Sequence, residues 1–296
     1  MFLKIGTRKS ALALAQAEEV RAKLALAWPK LQVEIVPMMT SGDTFLDRPL
    51  ADIGGKGLFT KEIEDALLDG RIDIAVHSIK DMQTLLPDGL TLGCVLERED
   101  PRDVLVGKNV RSLDDIPKGA TFGTSSLRRS AQLLMKRPDI KIVPLRGNVQ
   151  TRISKIEKGE VDFTMLAQAG LNRLKLFDVP GFVLSTDEFL PAVAQGAIGI
   201  ECREGDTVTL ELLVPLADVE TEIAVLCERA FLQALDGSCR TPIAGYATVE
   251  GDVIHLRGLL LNADGSKHFS IQKTGNIHDA ESLGESAGAE LLAATR

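Results

Sequence analysis

Three times in this chain a short apolar run passes through a turn of glycine, serine, threonine or asparagine into a helical pattern with arginine at its start. The segments are Gly6-Thr7-Arg8-Lys9-Ser10, Gly123-Thr124-Ser125-Ser126-Leu127-Arg128-Arg129 and Arg146-Gly147-Asn148-Val149-Gln150-Thr151-Arg152. A helix start already carries about half a positive charge, so a cation there loses roughly 0.3–1 kcal/mol relative to the far end. An anion is expected to compensate. Free N–H groups, hydroxyl caps and guanidinium forks together form a receptor for carboxylate or phosphate. One such junction alone reads more readily as an arginine facing solvent; three in one chain favour the receptor.

Other residues offer chemistry of a different kind. Asp81 follows an apolar run in His77-Ser78-Ile79-Lys80-Asp81, at the carboxyl end of a strand, where α/β folds place their active sites. A carboxylate there serves as acid, base or cation stabiliser; the alternative is a turn residue or a surface pair with Lys80. Gly54-Gly55-Lys56-Gly57-Leu58-Phe59 lacks the P-loop pattern. It reads as a lid in which Lys56 touches an anion and Phe59 stacks on a ring, or as a plain turn with Phe59 in the core. Cys239 stands between Ser238 and Arg240 just beyond a helical pattern, where exposure and a neighbouring cation favour thiolate chemistry or covalent attachment. Cys94, Cys202 and Cys227 sit in apolar patterns and read as buried filler. No cysteine spacing signals a zinc site or a redox pair, and His255, His268 and His278 are expected in surface roles.

The elements that must position these residues alternate. Strand-like Phe2–Ile5, a helix from Ser10 to Ala27, Gln32–Pro37, a helix from Thr60 to Leu68 and Arg71–His77 predict parallel strands with crossover helices. The charged segment Glu97-Arg98-Glu99-Asp100-Pro101-Arg102-Asp103 reads as a linker or hinge before a second such set. Gly70-Arg71-Ile72-Asp73-Ile74-Ala75-Val76 is echoed by Gly159-Glu160-Val161-Asp162-Phe163-Thr164-Met165, as expected for two related lobes holding a ligand between them. From about Asp218 the texture changes to a helix over Thr221–Leu235, strands over Ile243–Val249, Val253–Leu261 and Lys267–Lys273, and a last helix from Asp279.

The chain has 296 residues, 45% hydrophobic and 26% charged, with a net charge of −8. Two or three soluble domains are therefore expected, and a nucleic-acid surface is not, because counterion release needs an extended basic face. Between Thr121 and Lys155, however, Arg128, Arg129, Lys136, Arg137, Lys141, Arg146, Arg152 and Lys155 face Asp139 alone among acids, which suits a small polyanion. No apolar run approaches a membrane span, and a cytoplasmic location is expected.

In their order and spacing, the three arginine junctions, the Gly54–Phe59, His77–Asp81, Glu97–Asp103 and Leu145–Val149 segments, Gln195-Gly196-Ala197-Ile198-Gly199-Ile200-Glu201-Cys202 and Gly237-Ser238-Cys239 resemble the porphobilinogen deaminases along essentially the whole chain. The resemblance implies two doubly wound lobes like those of two-lobed periplasmic binding proteins, residues 1–98 with 195–216 and residues 99–194, plus a small α+β domain over 217–296. It implies an enzyme that condenses four porphobilinogen molecules head to tail into hydroxymethylbilane, releasing ammonia each time, in tetrapyrrole biosynthesis. The primer would be a dipyrromethane joined by a thioether to Cys239, with no metal. Asp81 would be catalytic, assisting proton transfer and stabilising the azafulvene and pyrrole cations. Lys80, Asp81, Thr124, Ser126, Arg128, Arg129, Arg146 and Gly147 would hold the cofactor; Arg8, Ser10, Lys56, Phe59, Ser78, Arg152, Arg173 and Gln195 would hold the substrate. A monomer handing its product to uroporphyrinogen III synthase is implied as well. Gln83 departs from the family's proline two residues after the aspartate and lacks its fixed φ. The rival classes are a two-lobed anion-binding protein, disfavoured by the extra domain bearing Cys239, and a cysteine-nucleophile hydrolase.

Overall fold

The computed structural model describes residues 1–44, 57, 59–235 and 241–295. Strand β1 (Phe2–Arg8) leads into helix α1 (Ala11–Ala27), β2 (Gln32–Met38), the short α2 (Ser41–Thr44), α3 (Lys61–Leu68), β3 (Ile74–Ser78) and β4 (Leu90–Val95). A second series follows: β5 (Asp103–Val106), β6 (Thr121–Gly123), α4 (Leu127–Lys136), β7 (Lys141–Val143), α5 (Val149–Glu157), β8 (Phe163–Ala167), α6 (Gln168–Arg173) and β9 (Gly181–Val183). The remainder comprises β10 (Ile198–Arg203), α7 (Thr207–Leu213), α8 (Val219–Ala234), β11 (Ile243–Glu250), β12 (Val253–Leu261), β13 (His268–Asn276) and α9 (Ala280–Ala294). Two compact units result, Met1–Glu99 with Ala197–Glu222, and Asp100–Gly196 with Ile223–Arg296.

The first unit holds a sheet of order β2-β1-β3-β10-β4, the second one of order β7-β6-β8-β5-β9. β1 is parallel to β2 and β3, and β6 is parallel to β7 and β8. The expectation of parallel strands fails at one strand in each sheet: β10 runs antiparallel to β3 and β4, and β5 antiparallel to β8 and β9. A βαβ crossover fixes direction only between consecutive strands. β10 and β5 enter their sheets from outside that local series.

The sequence echo marks equivalent places in the two sheets. Asp73 accepts the Lys4 N–H at 2.8 Å and returns its own N–H to the Lys4 carbonyl at 3.0 Å. Asp162 does the same with Thr121, at 2.8 and 3.1 Å. Asp73 thus ties the start of β3 to β1, and Asp162 the start of β8 to β6.

Alternation along the strands sorts the first core. Leu3, Ile5, Ile74, Val76, Ile198, Ile200 and Cys202 join Ala17, Val20 and Leu24 of α1. On the other face, Ala75 meets Ile63, Ala66 and Leu67 of α3. In the second unit Leu105, Phe122 and Met165 bury Leu133 of α4, and the antiparallel sheet β11-β12-β13 sets Ala244, Leu259 and Leu261 on Ala131 of the same helix. Gln195 sits in a turn where Ala194 has φ +57 and Gly196 φ +94. The left-handed region costs a non-glycine residue about 1–2 kcal/mol. Fully buried Glu228 of α8 holds that turn, accepting the N–H groups of Ala194 and Ala247 at 2.5 and 2.7 Å.

Cys94, Cys202 and Cys227 are buried, and burial pushes their thiols up to about 12, 11 and 12, as inert filler requires. Among the described residues no helix is long and apolar enough to cross a membrane. Replacing either tying aspartate by alanine removes a backbone partner, an effect of about 0.5–1.5 kcal/mol. Asp73→Ala should cost more than Asp162→Ala in urea unfolding, because Asp73 is part-buried and Asp162 exposed.

Candidate active site

In the first unit, parallel pairing places the ends of β1 and β3 side by side. Ser10 caps α1 by accepting the Ala13 N–H at 3.3 Å. Thr7, buried beneath it, donates to the Ala13 carbonyl at 3.2 Å. Opposite, β3 runs directly into a single 3-10 turn, Ile79–Asp81. Gln16 of α1, 3% exposed, donates to Ser78 Oγ at 2.8 Å and ties the two strand ends together. Arg8, Ser10, Phe59, His77, Ser78 and Asp81 line one cleft. The Arg8 guanidinium lies over the Phe59 ring, 4.4 Å from its centroid, a cation–π contact. Lys80 occupies the Asp81 turn.

In the second unit, Ser126 caps α4, accepting the Arg129 N–H at 3.4 Å, and Asn148 caps α5, accepting the Thr151 N–H at 2.8 Å. Ser125 Oγ donates to the Leu145 carbonyl at 3.1 Å and the Thr124 N–H to the Val143 carbonyl at 2.9 Å. The two helix starts are thereby joined. Gly147, at φ +116, takes a conformation closed to side-chain-bearing residues, and its carbonyl accepts Arg152 Nε at 2.9 Å. Arg146 is half-buried beside it.

Arg128 and Arg129 meet an anion that the sequence reading did not assign. Asp103, fully buried at the start of β5, accepts Arg129 through Nε at 3.1 Å and Nη2 at 2.7 Å, and Arg128 Nη2 approaches its other oxygen at 2.8 Å. Arg128 also donates to the Leu190 carbonyl at 2.8 Å. Both arginines are 6% exposed. Burial by itself raises the Asp103 carboxyl, but the two guanidiniums outweigh it and hold it down to about 2. Gln195 Nε2 joins the group, donating to Asp103 at 3.2 Å and to the Pro101 carbonyl at 2.7 Å. Arg173 Nη1 donates to the Gly196 carbonyl at 3.1 Å. The available signal for Asp103 was an acid opening the apolar run Val104-Leu105-Val106. Lys56 and Cys239 lie outside the described residues.

Residues 3–211 match the family model described as porphobilinogen deaminase, dipyromethane cofactor binding domain, and residues 222–293 match porphobilinogen deaminase, C-terminal domain. The chain is 54% identical over 289 residues to porphobilinogen deaminase of Nitrobacter winogradskyi, covering 97% of this chain and 92% of that one. It is 52% identical over 291 residues to porphobilinogen deaminase of Syntrophotalea carbinolica, covering 98% and 92%. Among solved structures it is similar to a TRAP periplasmic solute binding protein from Desulfovibrio salexigens, with 14% identity, a TM-score of 0.46, and coverage of 73% and 72%.

Asp103→Asn would leave two buried guanidiniums without their carboxylate, and breaking a buried ion pair this way costs about 3–5 kcal/mol. Urea unfolding of the full chain should show that loss at neutral pH. A carboxyl depressed from its unfolded value of about 3.9 contributes stability above that value, lost as pH falls toward the folded value of about 2. The gap between parent and variant should accordingly narrow below about pH 4.

Proposed function

Because the chain belongs to the porphobilinogen deaminase family, we propose that Asp81 is the catalytic carboxylate of its reaction and that the arginine-bearing helix starts receive the carboxylates of cofactor and substrate. The enzyme is a transferase that condenses porphobilinogen units into hydroxymethylbilane. At each step the carbon–nitrogen bond of an aminomethyl group breaks and a carbon–carbon bond to a ring carbon forms. The proton displaced from that ring carbon leaves with ammonia as ammonium. The observation that carries the proposal is the cleft of the first unit, in which the Asp81 carboxylate shares a wall with Arg8, Ser10 and Ser78.

The donor set of the second unit suits a polycarboxylate such as dipyrromethane. Two buried guanidiniums against the single Asp103 carboxylate leave one excess positive charge. Around it stand the capped helix starts of Ser126 and Asn148, with Arg146 and Arg152. Thr124, Ser126, Arg128, Arg129, Arg146 and Gly147 are assigned to hold the cofactor, with Lys80 and Asp81, and Cys239 to bear it. When bound, the cofactor supplies the free ring carbon onto which the first porphobilinogen is joined.

The chain's own residues orient the substrate and move the proton. Arg8, whose guanidinium lies over Phe59, is assigned to pair with an acetate or propionate. Ser78, whose oxygen accepts from Gln16, donates its hydroxyl proton, and Ser10 contributes the start of α1. Lys56, Arg152, Arg173 and Gln195 complete the substrate contacts. Asp81 steadies the positive charge that develops as ammonia departs and carries the ring proton toward the leaving amine. On the same family grounds we assign a cytoplasmic monomer that passes its product to uroporphyrinogen III synthase, with domain limits at 1–98 plus 195–216, 99–194 and 217–296.

Asp81→Asn keeps the side-chain volume and removes the charge. Loss of a positioned acid–base group costs about 10²–10⁴ in rate, and product formation by variant whose cofactor content is verified by mass should fall within that range. Activity within a few-fold of the parent would mean that another group carries the chemistry. Peptide mapping of active protein should find the cofactor mass on the segment containing Cys239, and an unmodified Cys239 there would remove the attachment proposal.

A further inference from the structure

The segment from Gln195 to Cys202 is left without a role by the assignments above beyond Gln195 itself. Strand β10 within it lies beside β3 in antiparallel register, Ile198 opposite Ser78 and Gly199 opposite His77. Its even positions, Ile198, Ile200 and Cys202, belong to the core on the α1 face. Gly199 and Glu201 point the other way, toward the face that carries α3.

On that face three observations converge on the Asp81 turn. The Ile79 N–H, first in the turn, donates to the Ala197 carbonyl at 3.1 Å. Ile79, 1% exposed, shares with Leu92 the space that Gly199 leaves: a Cβ on Gly199 would stand 2.8 Å from both Ile79 Cγ1 and Leu92 Cδ1, inside van der Waals contact. Glu201 Oε2 meets His77 Nε2 at 3.1 Å, with the two side chains 0% and 4% exposed. A buried bond of this kind between neighbouring strands fixes their register where a solvated pair would not. Burial raises the carboxyl of Glu64 on α3, and the neighbouring Glu201 carboxylate adds to that effect.

We infer that β10 is the platform that positions Asp81, with His77 and Glu201 as positioning residues and Gly199 as the gap that seats the turn. The inference rests on the reading of Asp81 as the catalytic carboxylate. His77 is two residues from the turn's first member and acts through the backbone of Ser78 and Ile79. Gln16 holds the same strand end from the α1 side. The turn is thus clamped from both faces of the sheet, which suits a carboxylate that has to meet a reacting carbon within a fraction of an ångström.

The test compares His77→Leu, His77→Gln, Gly199→Ala, Asp81→Asn and the double variant His77→Leu with Asp81→Asn. Each is the full chain, with cofactor content read by intact mass and folding by thermal melting. A misplacement of about 1 Å costs about 10²-fold in rate, so His77→Leu and Gly199→Ala should each lose about that much in kcat while KM and cofactor content stay within about twofold. His77→Gln, which keeps an N–H for Glu201, should recover most of the loss. In the Asp81→Asn background His77→Leu should cost less than about twofold, because coupled residues are not additive. A parent-like kcat in folded His77→Leu or Gly199→Ala overturns the inference, as does a His77→Leu loss that is undiminished in the Asp81→Asn background. If His77→Leu does not fold, Gly199→Ala decides by the same kcat-against-KM criterion. Parent-like activity in Asp81→Asn alone would instead overturn the reading of Asp81, and it is visible without any His77 variant.

Discussion

Parallel pairing of β1 with β3 is the constraint on which the cleft of the first unit depends. Parallel strands end at the same edge of a sheet, so Arg8 and Asp81, more than seventy residues apart, finish on one rim, and the start of α1 rises from it. The pairing is set by Ile5 opposite Ile74 and Gly6 opposite Ala75. The second sheet repeats it with Phe122 opposite Phe163 and Gly123 opposite Thr164, bringing Thr124 and Ser126 to its corresponding edge. The same tie made by Asp73 and Asp162 shows that both sheets solve one register problem by one device.

Cations at helix starts pose the second physical problem, and it is answered three ways. Arg8 spreads its charge over an aromatic face. Arg152 turns back to the Gly147 carbonyl, whose backbone angle presents that oxygen to it. Arg128 and Arg129 share Asp103, which relieves repulsion between them yet leaves positive charge in excess. Complete neutralisation would leave no excess positive charge there; no compensation would leave two buried cations, each at a desolvation cost of several kcal/mol. One carboxylate for two guanidiniums lies between these limits.

What was legible in the sequence was local. Ser10, Ser126 and Asn148 act as caps because a side-chain oxygen next to the first helical turn reaches its N–H groups whatever the rest of the chain does. Asp81 was legible as a strand-end carboxylate for a similar reason, and the strand Val253–Leu261 has the limits its pattern predicts. The direction of β5 and β10 was not legible, since periodicity states that a strand exists and not which way it enters a sheet. Nor were the partners made by that entry. Asp103 reads as the end of a charged linker until it stands 26 residues away from its arginine, and Glu201 finds His77 across 124 residues. Phe59 was left between core and stacking platform because its role is set by Arg8, far from it in sequence.

The late arrival of β10 also shapes how the first unit is assembled. Its core needs Ile198, Ile200 and Cys202, and α7 with the residues after it adds Leu212, Leu213 and Leu216 to the same cluster. Residues 1–98 by themselves would leave the β3 edge unpaired and β4 without the neighbour that joins it to the sheet. Such long-range pairing is slow to form, because loop closure comes before any contact rewards it. The arrangement has a chemical counterpart. The strand that completes the core is the one whose opposite face holds Gly199 and Glu201, so the Asp81 turn acquires its backing only when the sheet closes.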